Sequence, residues 1–224
     1  MSPARADGLR FNYCKPQEKI TMSKPTIYGM SGSRALRSLW AAEEIGLDFE
    51  QVNVHFAEGT KTPEYLAVNP NGKIPTLIDG DITIGESMAI NCYLAKTYGG
   101  DVYPQNAKDE ALTWQWSVWG ISEIEHLQMQ IVVQKLFLPK EKRNDKIIAS
   151  AEKQLKRPLA VLDAALKNQD WLIGDAFSIA DLNVSSVMLL LKMVKFDYSE
   201  YENIQRWADA CYARPSLARA QARD

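Results

Sequence analysis

NPNGKIPTLIDGDITIGES, residues Asn69 to Ser87, is the stretch around which the whole chain is organised. Two short apolar runs, Ile74 to Ile78 and Ile82 to Ile84, flank a tight Asp79-Gly80 turn, a strong local hairpin signal. Pro75 is the odd element. Proline has no backbone donor and belongs at an edge, a first strand position or a bulge. Placed directly after Ile74, where the strand is expected to begin, it leaves the Ile74 backbone free to pair with something other than the sheet. A cis Ile74-Pro75 bond would serve that arrangement well. Gly85-Glu86-Ser87 then opens a helix and sets a carboxylate and a hydroxyl beside the free N–H groups of a helix start.

Outward from this hairpin, Thr26 to Met30 (TIYGM) reads as a strand, and Ser31-Gly32-Ser33 as a turn rich in N-cap residues. Arg34 to Gly46 has helical periodicity, with Leu36, Leu39, Trp40 and Ile45 on a broad face and Gly46 as the C′ residue. Phe49 to Val54 is a second strand, His55 to Pro63 a polar loop, Glu64 to Asn69 one helical turn, and Ser87 to Tyr98 a helix. A crossover helix joins the first two strands and a hairpin the last two, which predicts an α/β domain with a mixed sheet. Gly, Pro, Asn and Asp cluster in GGDVYPQN, so residues 100–106 are the expected linker.

Beyond the linker no strand pattern appears, and residues 107–224 are expected to be all helical. A long helix from Lys108 to about Gln134 would carry Trp116, Trp119, Glu123, Leu127 and Gln130 on one stripe. Glu141 to Asn168 repeats Leu155, Leu159, Leu162 and Leu166 at helical spacing, with Pro158 as an expected kink. Ser178 and Asp181 resemble a capping box, with Phe177 and Leu182 as the apolar staple around it. Asp181 therefore reads as a structural cap rather than a catalytic acid. Pro215 fits the first position of a last short helix.

The 224 residues carry a formal net charge of -2, 46% hydrophobic and 24% charged residues, the profile of an ordinary globular protein. That balance gives no bulk electrostatic case for nucleic acid or an anionic membrane as partner. Cys14, Cys92 and Cys211 have no paired spacing, and His55 and His126 are too scattered for a zinc centre, so no metal is expected. The longest apolar run, Val187 to Leu191, cannot span a bilayer. The amino terminus has Arg5, Arg10 and Lys15 but no apolar core of a secretory signal, which leaves the cytoplasm as the default compartment. Residues 1–24 read as a flexible extension, with Met22 as an alternative start.

Four pieces together, YGMSGSRALRSLWAAEEIGL, NPNGKIPTL, IGESMAINCYLAKTYG and WLIGDAFSIADLNV, resemble the cytosolic glutathione transferases over roughly Thr26 to Ala220, with the bacterial serine-type members as the model. The resemblance implies a thioredoxin-like glutathione-binding domain over residues 25–99 and an all-α domain over 107–224 with a hydrophobic acceptor site. It implies a homodimer, glutathione as co-substrate and no metal. No Cys-x-x-Cys follows the first strand, which argues against a dithiol oxidoreductase. By the resemblance, the Ile74 backbone before Pro75 would pair with the cysteinyl part of glutathione. Glu86 and Ser87 would hold the γ-glutamyl end, and Lys73 would meet the glycyl carboxylate. An extended tripeptide needs edge hydrogen bonds, and its charged ends suit a helix start and a carboxylate.

The chemistry requires the sulfur as a thiolate, favoured by a hydroxyl donor and a helix N-terminus. Ser31 is the leading candidate for that hydroxyl, with Ser33 a second candidate that also suits the helix cap, and Tyr28 a third. In some serine-type relatives the active serine stands three residues before a Ser-Arg pair, which here is Met30, so a backbone N–H also remains a candidate donor. Arg34 would lend positive charge to the site or face solvent. Trp116, Trp119 and Glu123, with His126 as a weaker candidate, are expected to line the acceptor pocket. The expected activity is attack of the thiolate on a hydrophobic electrophile, with reduction of organic hydroperoxides a second use of the same group. A glutathione-dependent isomerase or dehalogenase, or a non-catalytic binding protein, would use the same scaffold.

Overall fold

The computed structural model describes residues 24–224. Cys14, the alternative start at Met22 and all but the last residue of the expected extension lie outside the described residues.

Four strands, β1 (Thr26–Tyr28), β2 (Glu50–Val52), β3 (Thr76–Asp79) and β4 (Ile82–Gly85), form a mixed sheet in the order β2-β1-β3-β4. β1 and β2 are parallel, as a crossover through α1 (Ala35–Glu44) requires, whereas β3 is antiparallel to both β1 and β4. The β3–β4 hairpin turns at Gly80, whose φ of 60° is unstrained only for glycine. α2 (Pro63–Val68) starts under a Thr62 hydroxyl that accepts from the Tyr65 N–H at 3.2 Å. α3 (Ser87–Tyr98) packs beside α1, and the two cover the sheet face that buries Ile27 and Leu77 completely.

The second half is helical throughout. α4 (Ala107–Trp119) runs into a π-helical turn over Gly120–Glu125, then α5 (His126–Val132), then a second π turn over Val133–Phe137. Each π turn closes i→i+5 rather than i→i+4 and so rotates the residues that follow it. The stripe expected from a 3.6-residue period therefore breaks: Trp116 and Leu127 are buried, Trp119 is half-buried, and Glu123 and Gln130 are exposed.

α6 (Asp145–Ala165) keeps its register through a buried Pro158, with Leu155, Leu159 and Leu162 fully enclosed. α7 (Ile179–Met193) is the central helix, buried over nearly its whole length. Its capping box is complete. The Asp181 carboxylate accepts from the N–H of Leu172 at 2.8 Å, the N–H and Oγ of Ser178 at 3.0 and 2.8 Å, and Trp207 Nε1 at 2.8 Å. Burial pushes the Asp181 pKa up against those bonds. α8 (Glu202–Tyr212) carries Trp207, and α9 (Pro215–Gln221) turns back onto α1, where Ser216 Oγ takes a hydrogen bond from Trp40 Nε1 at 3.0 Å.

Two buried polar clusters bridge the sheet-bearing half and the helical half. Asn91 of α3 donates to Asn183 of α7 at 2.8 Å, and Asn183 donates to Ser117 of α4 at 2.8 Å. Glu125 accepts from Arg37 Nη1 at 3.0 Å and pairs with Arg34 as well.

Candidate active site

The site lies at the end of the sheet where β1, β3 and β4 all stop. Tyr28 pairs with Thr76, and Thr76 with Gly85. Gly29 follows the end of β1, Ile74 and Pro75 precede the start of β3, and Glu86 and Ser87 follow the end of β4, so all five come from this end of the sheet. Strand β3 starts at Thr76 and not at the expected Ile74. The Ile74-Pro75 bond is cis, and the Ile74 backbone has no protein partner among the described residues. A donor and an acceptor are thereby left unpaired on a half-buried residue, the condition under which an extended peptide can add to an edge.

The turn before Ile74 is held from beneath. Tyr65 Oη and Asn69 Nδ2 both donate to the Lys73 carbonyl, at 2.7 and 3.0 Å. The Thr76 hydroxyl joins Tyr65 and Asn69 at 2.8 and 2.9 Å. Three buried side chains thus converge on one peptide group. The Lys73 side chain is exposed beyond them.

Across β4, Glu86 has φ 67° and ψ 112°, a conformation few non-glycine residues adopt. Backbone strain of this kind costs about 1–3 kcal/mol and collects at functional positions. It turns the exposed Glu86 to the brink of the Ser87 N-terminus of α3, where Ser87 itself is buried. Gly29 closes the third side. A Cβ there would lie 2.4 Å from Ala35 Cβ and 3.4 Å from Ile74 Cβ, so α1 and Ile74 meet across a bare backbone.

The serines of the following turn differ in their partners. Ser33 Oγ donates to the Met30 carbonyl at 2.7 Å and accepts from the Ala35 N–H at 3.1 Å, which commits it to the start of α1. Ser31 is turned to the opposite end of the chain: its N–H and Oγ both donate to Asp224 Oδ2, at 2.5 and 2.6 Å. Tyr28 stands on the other face of β1 from buried Ile27, with its ring 6.1 Å from that of Tyr65. Arg34 is exposed, and its guanidinium pairs with Glu125.

The expected acceptor residues separate. Trp116 belongs to the continuous core, and Trp119 packs against it edge-on at 5.1 Å. Glu123 and His126 line an open groove against α6, with Ser150, Lys153 and Arg157 on the far wall. Glu125, two residues on from Glu123 and so on the opposite side of the helix, is the one that meets α1. Glu123 and His126 thus share a groove with α6, while Trp116 and Trp119 lie in and against the core. Glu125, Gln51, Asn69 and Asp224 are site neighbours that sequence reading did not single out. Only Asn69 stood in a recognised motif. Among the described residues no cluster of three or more His, Cys, Asp or Glu side chains could hold a metal ion. No described helix is long and apolar enough to cross a membrane.

A thioredoxin-like α/β unit followed by an all-α unit is the architecture these elements define. The family models for the glutathione S-transferase N-terminal domain and C-terminal domain match residues 23–96 and 126–215. Glutathione S-transferase F10 of Arabidopsis thaliana is 34% identical over 163 residues, 70% of this chain and 76% of the relative. GstB of Escherichia coli strain K12 is 28% identical over 197 residues, 86% of this chain and 95% of the relative. The crystal structure of the theta class enzyme of Xanthomonas axonopodis pv. citri with glutathione bound superposes with a TM-score of 0.83 at 32% identity, covering 90% of this chain and 98% of that one. The chain belongs to the glutathione S-transferase family.

Proposed function

We propose that the chain is a glutathione transferase that binds the tripeptide along the sheet end formed by Ile74, Pro75, Glu86 and Ser87, and activates its thiol beside Ser31. The observation that carries this reading is the unpaired Ile74 backbone just before β3, at the end of the sheet where the strained Glu86 and the buried Ser87 follow β4. Ile74 would exchange backbone hydrogen bonds with the cysteinyl unit. Ser87 and the N-terminus of α3 would take the γ-glutamyl carboxylate, Glu86 its ammonium, and Lys73 the glycyl carboxylate. The Ser31 hydroxyl and N–H are two donors aimed at one point, the arrangement that stabilises a thiolate. The reaction is attack of that thiolate on a hydrophobic electrophile admitted between the two domains (residues 25–99 and 107–224), with the half-buried Trp119 as part of the expected wall. Titration calorimetry tests the binding step. Ser87→Ala should weaken glutathione about tenfold, the loss of one hydrogen bond to a charged group. Unchanged affinity would remove Ser87 from the site. A panel of aryl halides, epoxides, enals and hydroperoxides then separates conjugation from isomerisation, dehalogenation or mere binding.

Trp114, Val118 and Ile121 leave an exposed apolar stripe along one side of the α4 helix and its π turn. Exposed Ile82 and Tyr98 offer similar surface on β4 and α3. A second copy of the chain is the partner proposed for this surface. Sedimentation should give twice the chain mass, and Trp114→Glu should halve it.

A further inference from the structure

Asp224 stands 193 residues from Ser31 in sequence, yet its carboxylate occupies both donors of the proposed thiol site. Its second oxygen, Oδ1, accepts from Gln51 Nε2 at 2.9 Å, and that amide also reaches the Gly29 carbonyl at 3.0 Å. The placement is built rather than incidental. Arg214 pairs with Glu44 of α1, Arg219 Nε with Glu43 at 2.8 Å, and Arg223 Nη1 with Glu43 at 2.5 Å while its guanidinium lies 4.0 Å over the Phe49 ring. Three arginines thus fasten the segment from Arg214 to Arg223 along α1 and deliver the next residue to the turn.

We propose that Asp224 is a positioning residue of the thiol site: it holds the single Ser31 hydroxyl proton, and thereby sets how much of the bound glutathione is thiolate. The inference rests on the reading of Ser31 given above. A hydroxyl has one proton to donate, and it goes either to this carboxylate or to the sulfur. A carboxylate within hydrogen-bond reach of the same hydroxyl also repels a thiolate directly. Burial disfavours the charge on Asp224, but the Ser31 hydroxyl and N–H and the Gln51 amide outweigh it and keep the carboxyl below its ordinary value. The other charged groups around the turn are already paired: Arg223 and Arg219 with Glu43, Arg34 and Arg37 with Glu125. None of these pairs supplies a free cation to cancel the Asp224 charge.

Asp224→Asn is the informative change. An asparagine amide can donate to Ser31 Oγ, which frees the hydroxyl proton for sulfur and removes the repulsion. The thiolate absorbance of bound glutathione should be followed against pH in the wild type, Asp224→Asn, Ser31→Ala and the double variant. Asp224→Asn should lower the apparent thiol pKa by about one unit. One pH unit below the wild-type midpoint, the thiolate fraction would rise from about a tenth to a half, roughly fivefold, and kcat/KM with it. In the Ser31→Ala background the same change should move the midpoint far less. An unchanged or raised midpoint in Asp224→Asn overturns the inference, as does an equal drop with and without Ser31. Failure of the wild type to bind glutathione would instead overturn the function itself. Asp224 is exposed and helps enclose no core, so an unchanged melting curve separates its effect on ionisation from one on folding.

Discussion

Glu86 carries the clearest conflict between stability and use. Its positive φ has no side-chain cap to offset it. Glu86→Gly should therefore stabilise the fold by about 1 kcal/mol, read as an upward shift of the urea midpoint. The same change should weaken glutathione binding, because the carboxylate offered to the ammonium is gone. Ser33 gives a contrasting case. Its hydroxyl serves the start of α1, so Ser33→Ala should cost about 1 kcal/mol of stability and leave the thiol midpoint where it was. A raised midpoint would move the thiol role from Ser31 to Ser33. The places of Ile74, Pro75, Glu86 and Ser87 were legible beforehand because each is dictated by near neighbours: a proline without a donor, a hairpin turn, a helix start. The partners of Ser31 and Arg34 were not, since Asp224 and Glu125 reach them across the fold rather than along the chain.

Among the elements, α7 joins a nearly all-buried apolar body to a fully satisfied cap. Asp181→Ala would leave the N–H groups of Leu172 and Ser178, the Ser178 hydroxyl and Trp207 Nε1 all buried without their acceptor. We expect a loss of about 3 kcal/mol or more, seen as a Tm lower by roughly 6 °C or more, with no direct effect on the thiol. The capping box was readable because its four residues are consecutive. The order of strands and helices in the first half was readable for the same reason, but β1 and β2 are shorter than expected, and the proline displaced the first two residues of β3 from the ladder. The helix through α4 and α5 shows what periodicity cannot reach. A π turn leaves composition and hydropathy unchanged, yet it turns Glu123 toward α6 and Glu125 toward α1. A uniform 3.6-residue period read across it gives no sign of Glu125 as the carboxylate that meets α1.

At the scale of the molecule, three arginine-paired glutamates tie α1 to distant elements: Glu125 joins it to the central helices, and Glu43 and Glu44 join it to α9. Burial works against ionisation in each, but their arginine partners outweigh it and hold all three pKa values below the ordinary 4.5. A carboxyl whose folded pKa lies below its unfolded value contributes stability that is fully present above the unfolded value. That contribution is lost as pH falls through the folded value. Thermal melts should hence be flat from about pH 7 to 5 and should fall steeply below about 4.5. Glu125→Gln should blunt the acid slope at some expense at neutral pH, since Arg37 would remain buried beside a neutral amide.

The return of α9 to α1 also bears on the order in which the chain can be completed. Trp40, fully enclosed in the finished protein, gives its indole hydrogen to Ser216. A chain emerging from the ribosome carries the whole sheet and α1 long before residues 215–223 exist, so the first unit must wait with that flank of α1 bare. The nascent chain is thus most exposed to aggregation and to chaperone capture until residues 215–223 are made, and a nonsense codon near Arg214 should be far more damaging than the loss of that short helix would suggest. Expression of chains ending at Arg214 should give mostly insoluble material, whereas the same chains supplied with the missing helix as a separate peptide should recover soluble protein.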